Sequence, residues 1–207
     1  MDLTVFGATG GTGRHFVRLA LDAGHVVEAV ARRPEAITDR HPNLSVRQGD
    51  VLRRETVVVK GSDAVVYLAG PTQRGKTTLY SEGGRNVADA MVEQGVRRLV
   101  VVTNALGPQP GYSLPIRIVS AILRSTLLRH PHRDAREFER LIQDYDLDWT
   151  VIQPPQLVDT PATGTYRSVL NGWPGGGRKL GREDLAKATL DAIADTATTH
   201  AFIGVAY

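Results

Sequence analysis

Seven residues near the start of the chain constrain its fold more than any other segment. Gly7-Ala8-Thr9-Gly10-Gly11-Thr12-Gly13 follows the short apolar run Leu3–Phe6 and opens Arg14–Ala23, whose Phe16, Val17, Leu19, Ala20 and Ala23 have helical spacing before Gly24. A strand, a GxxGxxG turn and a helix in that order make half of a βαβ unit whose turn can receive a pyrophosphate. The glycines allow φ > 0 in the tight turn and a close approach of phosphate to backbone. The helix start behind them offers unpaired N–H groups and the positive end of the helix dipole. Thr9 and Thr12 add hydroxyl donors. Gly7, Thr9, Gly10, Gly11, Thr12 and Gly13 are therefore candidate cofactor-binding residues.

The same alternation continues. Val26–Ala31 is β-branched, Leu44–Arg47 is a weaker strand before Gly49-Asp50, and Ala64–Leu68 is another strand. The spacing predicts a helix over Thr77–Gln94 closed by Gly95, then a buried strand over Val96–Thr103. Continuous apolar strands separated by helices imply a parallel sheet covered on both faces. Right-handed crossovers favour a doubly wound sheet. The second half is less regular. Helices are expected over Leu114–Leu128 and Arg133–Tyr145, a sixth strand over Trp149–Gln153 stopped by Pro154-Pro155, and a short strand near Thr165–Leu170. Glu183–Ala194 reads as a helix, Ala201–Ala206 as a last strand, and Asn171–Gly181 as a mobile surface loop. The expected fold class is α/β, one domain of 207 residues with the cofactor half over about 1–110. A small C-terminal substrate region draws on about 105–115 and 154–180.

The end of the second strand selects the cofactor. An Asp or Glu there, about 20 residues beyond the glycine loop, holds the ribose 2′-OH of NAD. This chain has Ala31-Arg32-Arg33 instead. A carboxylate repels a 2′-phosphate, whereas a guanidinium binds one, so the expected cofactor is NADPH. Asp50 closes the third strand and is placed to accept from the adenine amino group.

A second phosphate motif competes. Gly70-Pro71-Thr72-Gln73-Arg74-Gly75-Lys76-Thr77 matches GxxxxGK[ST], the P-loop pattern. A P-loop enzyme also needs an aspartate ending another strand to help hold Mg²⁺, and the best candidate strand ends in Thr103-Asn104. Glu82, Gly83 and Gly84 also weaken the helix that should follow. The loop is better read as a flank of the cofactor, with Lys76 solvated.

Several chemistries lack their residues. No tyrosine has a lysine four positions on, so the phenol–lysine proton donor of ordinary short-chain dehydrogenases is missing. There is no Gly-x-Ser-x-Gly elbow, and no cysteine for a thiolate nucleophile or metal site. The six histidines are scattered except His130 and His132, so no metal is expected. The net charge of +3 comes from 21 Arg and 4 Lys spread along the chain, with only 6% aromatics, so nucleic acid is not an expected partner. No apolar run approaches the roughly 20 residues of a membrane span. The expectation is a cytoplasmic protein, monomer or homodimer.

Beyond the cofactor loop, Ser81–Met91, Gly95–Ala105, Pro154–Tyr166 and Gly181–Ala186 carry a resemblance over almost the whole chain. The sequence resembles atypical short-chain dehydrogenases with an NmrA-like, Rossmann-like NAD(P)-binding fold, within them NADPH-dependent flavin reductases of the biliverdin reductase B type. The resemblance implies direct hydride transfer from the nicotinamide to a flat conjugated acceptor: a flavin, a quinone or a linear tetrapyrrole. It implies that Val51, Leu68, Ala69 and Gly70 join Arg32, Arg33, Asp50 and the glycine loop around the cofactor. The family's active-site serine falls at Asn104 and its pocket histidine at Gln156. Asn104 can hydrogen-bond an amide but cannot shuttle a proton, and Gln156 does not titrate near neutral pH. Thr103 is the neighbouring hydroxyl, either catalytic or a buried strand end. The substrate wall would use Ala105, Leu106, Pro155, Gln156 and Trp173. Trp173 is either a stacking surface or a tryptophan packed under its own loop. Rival readings are a non-catalytic NADP(H) sensor and a tailoring reductase with a pathway-specific acceptor.

Overall fold

The computed structural model describes residues 1–72, 75–105, 113–126 and 128–207. In chain order the elements are β1 (Asp2–Phe6), α1 (Gly11–Asp22), β2 (Val26–Ala31), β3 (Leu44–Gln48), β4 (Ala64–Tyr67), α2 (Ser81–Gln94) and β5 (Arg98–Val102). There follow α3 (Leu114–Ser125), α4 (Arg129–Leu141), β6 (Asp148–Gln153), β7 (Gln156–Val158), β8 (Arg167–Leu170), β9 (Lys179–Gly181), α5 (Arg182–Ala194) and β10 (Ala201–Ala206).

Eight strands form one sheet in the order β3-β2-β1-β4-β5-β6-β10-β8. All neighbours pair in parallel except β8, which runs antiparallel to β10 at the edge. The order reverses between β1 and β4, the switch point at whose carboxyl ends ligands bind in open α/β sheets. Side chains alternate across the sheet. Val100 and Val102 of β5 face the layer of α1 and α5 with Phe16 and Leu185, while Leu99 and Val101 face that of α2 and α4 with Met91 and Phe138. The doubly wound architecture expected from the sequence is therefore present.

Several expected boundaries move, each for a physical reason. The helix expected from Thr77 begins at Ser81, because a distant carboxylate fixes its start. Asp134 of α4, 4% exposed, accepts from the Tyr80 N–H (2.8 Å), the Ser81 N–H (3.0 Å) and the Ser81 hydroxyl. Such an acceptor satisfies the unpaired donors of a helix start and favours its dipole. Gly84, expected to weaken this helix, makes room for α4: a Cβ there would lie 2.4 Å from the Phe138 ring. The helix expected over Arg133–Tyr145 is α4, starting earlier, at Arg129, and followed by the 3-10 turn Ile142–Asp144. Pro131 sits in its first turn, where the missing N–H would be unpaired in any case. Asn171–Gly181 is not the loose loop expected. It buries Trp173 and Leu180, and its end pairs with β7 as β9 in a second, two-stranded sheet.

Arg98 ties the sheet to α5. Its guanidinium donates to the Ala192 and Ile193 carbonyls at the helix C-terminus and to the Thr150 hydroxyl (2.8 Å). Burial lowers its pKa from the usual value, with Asp148 opposing that shift.

Replacing Asp134 by alanine strands two backbone N–H groups and a hydroxyl in a buried position. We expect a loss of about 2–3 kcal/mol, read as a lower urea midpoint with unchanged slope. A loss below about 0.5 kcal/mol would contradict the capping role.

Candidate cofactor site

The site begins where β1 turns into α1. Gly7 has φ +87°, and a Cβ there would lie 2.5 Å from the Ala69 nitrogen, so only glycine lets this turn rest on the end of β4. Gly13 closes the other side: its Cβ would lie 2.1 Å from the Gly7 oxygen. Gly10, in extended conformation, is the N-cap of α1 and donates to the Gly7 carbonyl at 3.0 Å. No side chain caps α1, and no carboxylate stands in its first turn. Its first N–H groups are thus offered to an anion.

Nine of the expected cofactor residues line one cleft at this edge: Gly7, Thr9, Gly10, Arg32, Asp50, Val51, Leu68, Ala69 and Gly70. Phe6, Val30, Ala31, Gly49 and Leu79, which were not among the expected residues, complete it with Thr72 of the loop read as a flank of the cofactor. The other expected residues have different places. Gly11 opens α1, Thr12 is buried in its first turn, and Gly13 serves the backbone contact just described. Arg33 is exposed and precedes the 3-10 turn Pro34–Ala36. Asp50 accepts from the Leu52 N–H at 3.1 Å and is held from behind by the Thr56 hydroxyl, which accepts from the Asp50 N–H at 2.9 Å.

The end of β5 forms the far end of the site. Thr103 is 4% exposed, and its hydroxyl donates to Glu139 of α4 at 2.7 Å. Of its two readings, the burial and this hydrogen bond agree with the structural one, a buried strand end. Glu139, itself 3% exposed, also accepts from Gln153 (3.0 Å) and from Arg136, whose second terminal nitrogen donates to the Asn104 carbonyl at 3.3 Å. The strand ladder continues past β5, with the Thr103 N–H donating to Ile152 (2.9 Å) and the Ala105 N–H to Pro154 (2.8 Å). Asn104 is therefore clamped on both sides. Its side chain lies near the Tyr80 hydroxyl, and among the described residues its buried amide oxygen has no hydrogen-bond partner. Tyr80 reaches the end of β4 as well, since a Cβ on Gly70 would lie 3.1 Å from the Tyr80 oxygen. Burial, with the nearby charge of Asp134, drives the Tyr80 pKa well above its ordinary value, and Asn104 offsets only part of this.

The expected substrate residues divide. Ala105 packs in the buried group formed with Trp173 and Ala206, and Trp173 is only 7% exposed, so its ring is core and not an open stacking face. Pro155 is half-buried, and Gln156 is exposed at the start of β7, in register with Lys179 of β9. Leu106 lies outside the described residues.

The segment after β7 is fastened by Asp184 in the first turn of α5. This carboxylate accepts from the Tyr207 hydroxyl (2.6 Å), the Thr163 N–H (2.9 Å) and hydroxyl (3.1 Å), and the Gly164 N–H (3.0 Å). Burial works against its ionised form, but these donors outweigh it and hold the pKa below the usual carboxylate value.

The competing P-loop reading fails on geometry. Lys76 and Thr77 do not open a helix, since α2 starts at Ser81, and its first N–H groups already bind a carboxylate. Gln73 and Arg74 of that motif lie outside the described residues. Among the described residues no group of three or more His, Asp or Glu is placed to hold a metal ion, and no helix is long and apolar enough to cross a membrane.

A family model for NAD(P)H-binding proteins matches residues 7–196, from the first glycine of the loop to beyond α5. The chain belongs to the NAD(P)H-binding family. Its curated relatives include UPF0659 protein C216.03 of Schizosaccharomyces pombe, 26% identical over 96% of this chain and 87% of that protein. The uncharacterized YwnB of Bacillus subtilis is 24% identical over 81% of this chain and 78% of its own. Among solved structures, a short-chain dehydrogenase/reductase from Veillonella parvula in complex with NADP superposes with a TM-score of 0.78 and 18% identity, covering 100% of this chain and 94% of that one. The oxidoreductase YlbE of Lactococcus lactis gives 0.79 and 18%, with 100% and 90% covered. At such identities the structural likeness speaks for the fold, which is the Rossmann-like fold of the family. The cleft fits the family's cofactor: a glycine cradle that a Cβ would fill, and uncapped helix N–H groups beside it.

Asp184→Asn should weaken the attachment of 163–164 by about 2 kcal/mol near neutral pH. A folded pKa below the unfolded value contributes stability that is complete above the unfolded pKa, near about 4, and is lost as pH falls through the folded one. The difference between native protein and variant in urea midpoint should therefore be constant from about pH 5 to 7 and shrink in more acidic solution. A difference that grew as pH fell would contradict this.

Proposed function

We propose that the chain is an NADPH-dependent reductase that transfers hydride directly to a flavin or a similar conjugated acceptor, such as a quinone or linear tetrapyrrole. The observation that carries this reading is at the β5 end. The buried tyrosine beside Asn104 has its pKa driven up by burial and by Asp134, and among the described residues no lysine acts to lower it. A site of that kind has no ready proton donor for a simple ketone. A conjugated ring system accepts hydride without one held at the reacting atom, and the protein then serves to bind and orient.

When bound, the dinucleotide supplies the hydride. The first N–H groups of α1 and the Thr9 hydroxyl would hold its phosphates, and Asp50 its adenine. The Asn104 amide oxygen would accept from the carboxamide N–H of the nicotinamide, and the Glu139–Arg136 pair would keep Asn104 in place through Thr103 and its own carbonyl. Arg32 supports the choice of NADPH: it lines the cleft where a ribose-binding carboxylate would otherwise stand.

The direct test is oxidation of NADPH by purified protein with FMN, riboflavin, a quinone or biliverdin, and NADH as control. Saturable turnover preferring NADPH is expected. Binding of NADPH without turnover of any acceptor would contradict the reading and favour a sensor. Arg32→Ala should raise the KM for NADPH about tenfold or more and leave that for NADH nearly unchanged, as for a lost charge-assisted contact. Equal effects on both would remove the 2′-phosphate assignment.

A further inference from the structure

A cation lies at the phosphate loop. Arg182, the first residue of α5, lies across the start of α1. A Cβ on Gly11 would sit 2.6 Å from its Cδ and 3.0 Å from its Nε, so the missing side chain at position 11 is what lets the arginine lie there. Its Nε donates to Asp159 at 2.7 Å. Among the described residues no hydrogen bond engages its two terminal nitrogens. Of the carboxylates that follow it, Asp184 is taken by Tyr207, Thr163 and Gly164, and Glu183 lies 3.9 Å from His15. Arg182 is about one-third exposed and Asp159 four-fifths exposed, so the pair faces solvent at the mouth of the site.

We propose that Arg182 is a phosphate-binding residue of the cofactor site, its terminal nitrogens clamping the dinucleotide's diphosphate over Gly11 while its Nε stays on Asp159. The proposal rests on the dinucleotide reading above and deepens it. A guanidinium has donors enough for both partners and a planar fork suited to phosphate oxygens. The arrangement adds a full positive charge to the uncapped α1 N-terminus, where the diphosphate is otherwise met only by backbone N–H groups and hydroxyls. It also ties the segment after β7, through Asp159, to the bound cofactor.

Calorimetric titration of the full-length protein with NADP⁺ and with adenosine 2′-monophosphate, which lacks the diphosphate, tests this. Arg182→Gln should raise the Kd for NADP⁺ about tenfold and leave that for adenosine 2′-monophosphate unchanged, with an unaltered Tm. Arg182→Lys should recover part of the affinity. Asp159→Asn, which keeps the terminal nitrogens and removes a negative charge, should bind NADP⁺ at least as tightly as the native protein. Unchanged NADP⁺ affinity in Arg182→Gln would overturn the proposal. So would equal weakening by Arg182→Gln and Asp159→Asn, which would mark the ion pair as a support for the loop. A native protein that binds neither compound would overturn the dinucleotide reading and this proposal with it.

Discussion

The contact between Gly13 and the carbonyl of Gly7, too close to admit a Cβ, is what the site depends on. It brings the first turn of α1 down onto the end of β1, and Gly7 in turn rests on the end of β4. Three backbones thus meet at the switch point of the sheet with no side chain between them. The consequence is electrostatic. α1 presents its N–H groups where the strand order reverses between β1 and β4, with neither cap nor carboxylate in its first turn to neutralise them. The starts of α2 and α5 differ: that of α2 is occupied by Asp134, and α5 carries Glu183 and Asp184 in its first turn. With the glycine turn before it and no carboxylate in its first turn, the start of α1 is open to an anion.

α4 organises the remainder. From one helix, Asp134 fixes where α2 begins, Glu139 holds Thr103 and Gln153, and Arg136 holds the Asn104 carbonyl. Both carboxylates are buried and fully engaged, an arrangement that costs little while every partner is present and much when one is removed. The end of β5 is thereby fixed by polar contacts, and the Asn104 amide oxygen is left as an unpaired acceptor beside Tyr80. Preorganisation of this kind suits a protein whose main task is to orient two ring systems.

The first half of the fold was legible because strand, turn and helix signals there are local. Gly7–Gly13, the Val26–Ala31 strand and the apolar run of β5 carry their structure in their own spacing, and Arg32 and Asp50 fall in the cleft at the positions the pattern requires. The illegible parts are those whose partners come from far along the chain. The start of α2 is set by a residue 53 positions away, and the burial of Asp134 and Glu139 on an otherwise polar helix has no periodic signature. Thr103 reads equally as catalytic or structural until Glu139 is placed beside it. Trp173, in a stretch of glycines that suggests a loose loop, is buried because Gly204 of β10 leaves space for its ring: a Cβ there would lie 2.8 Å from the indole. Arg182 belongs to the same class, since nothing near it in sequence shows that Gly11 lies beneath it.

The most direct measurement is a crystal structure of the protein grown with NADP⁺. The account predicts the diphosphate on the first N–H groups of α1, the 2′-phosphate against Arg32, and the nicotinamide carboxamide at the Asn104 amide oxygen. A dinucleotide lying elsewhere, or an adenosine ribose whose 2′-phosphate points away from Arg32, would contradict it.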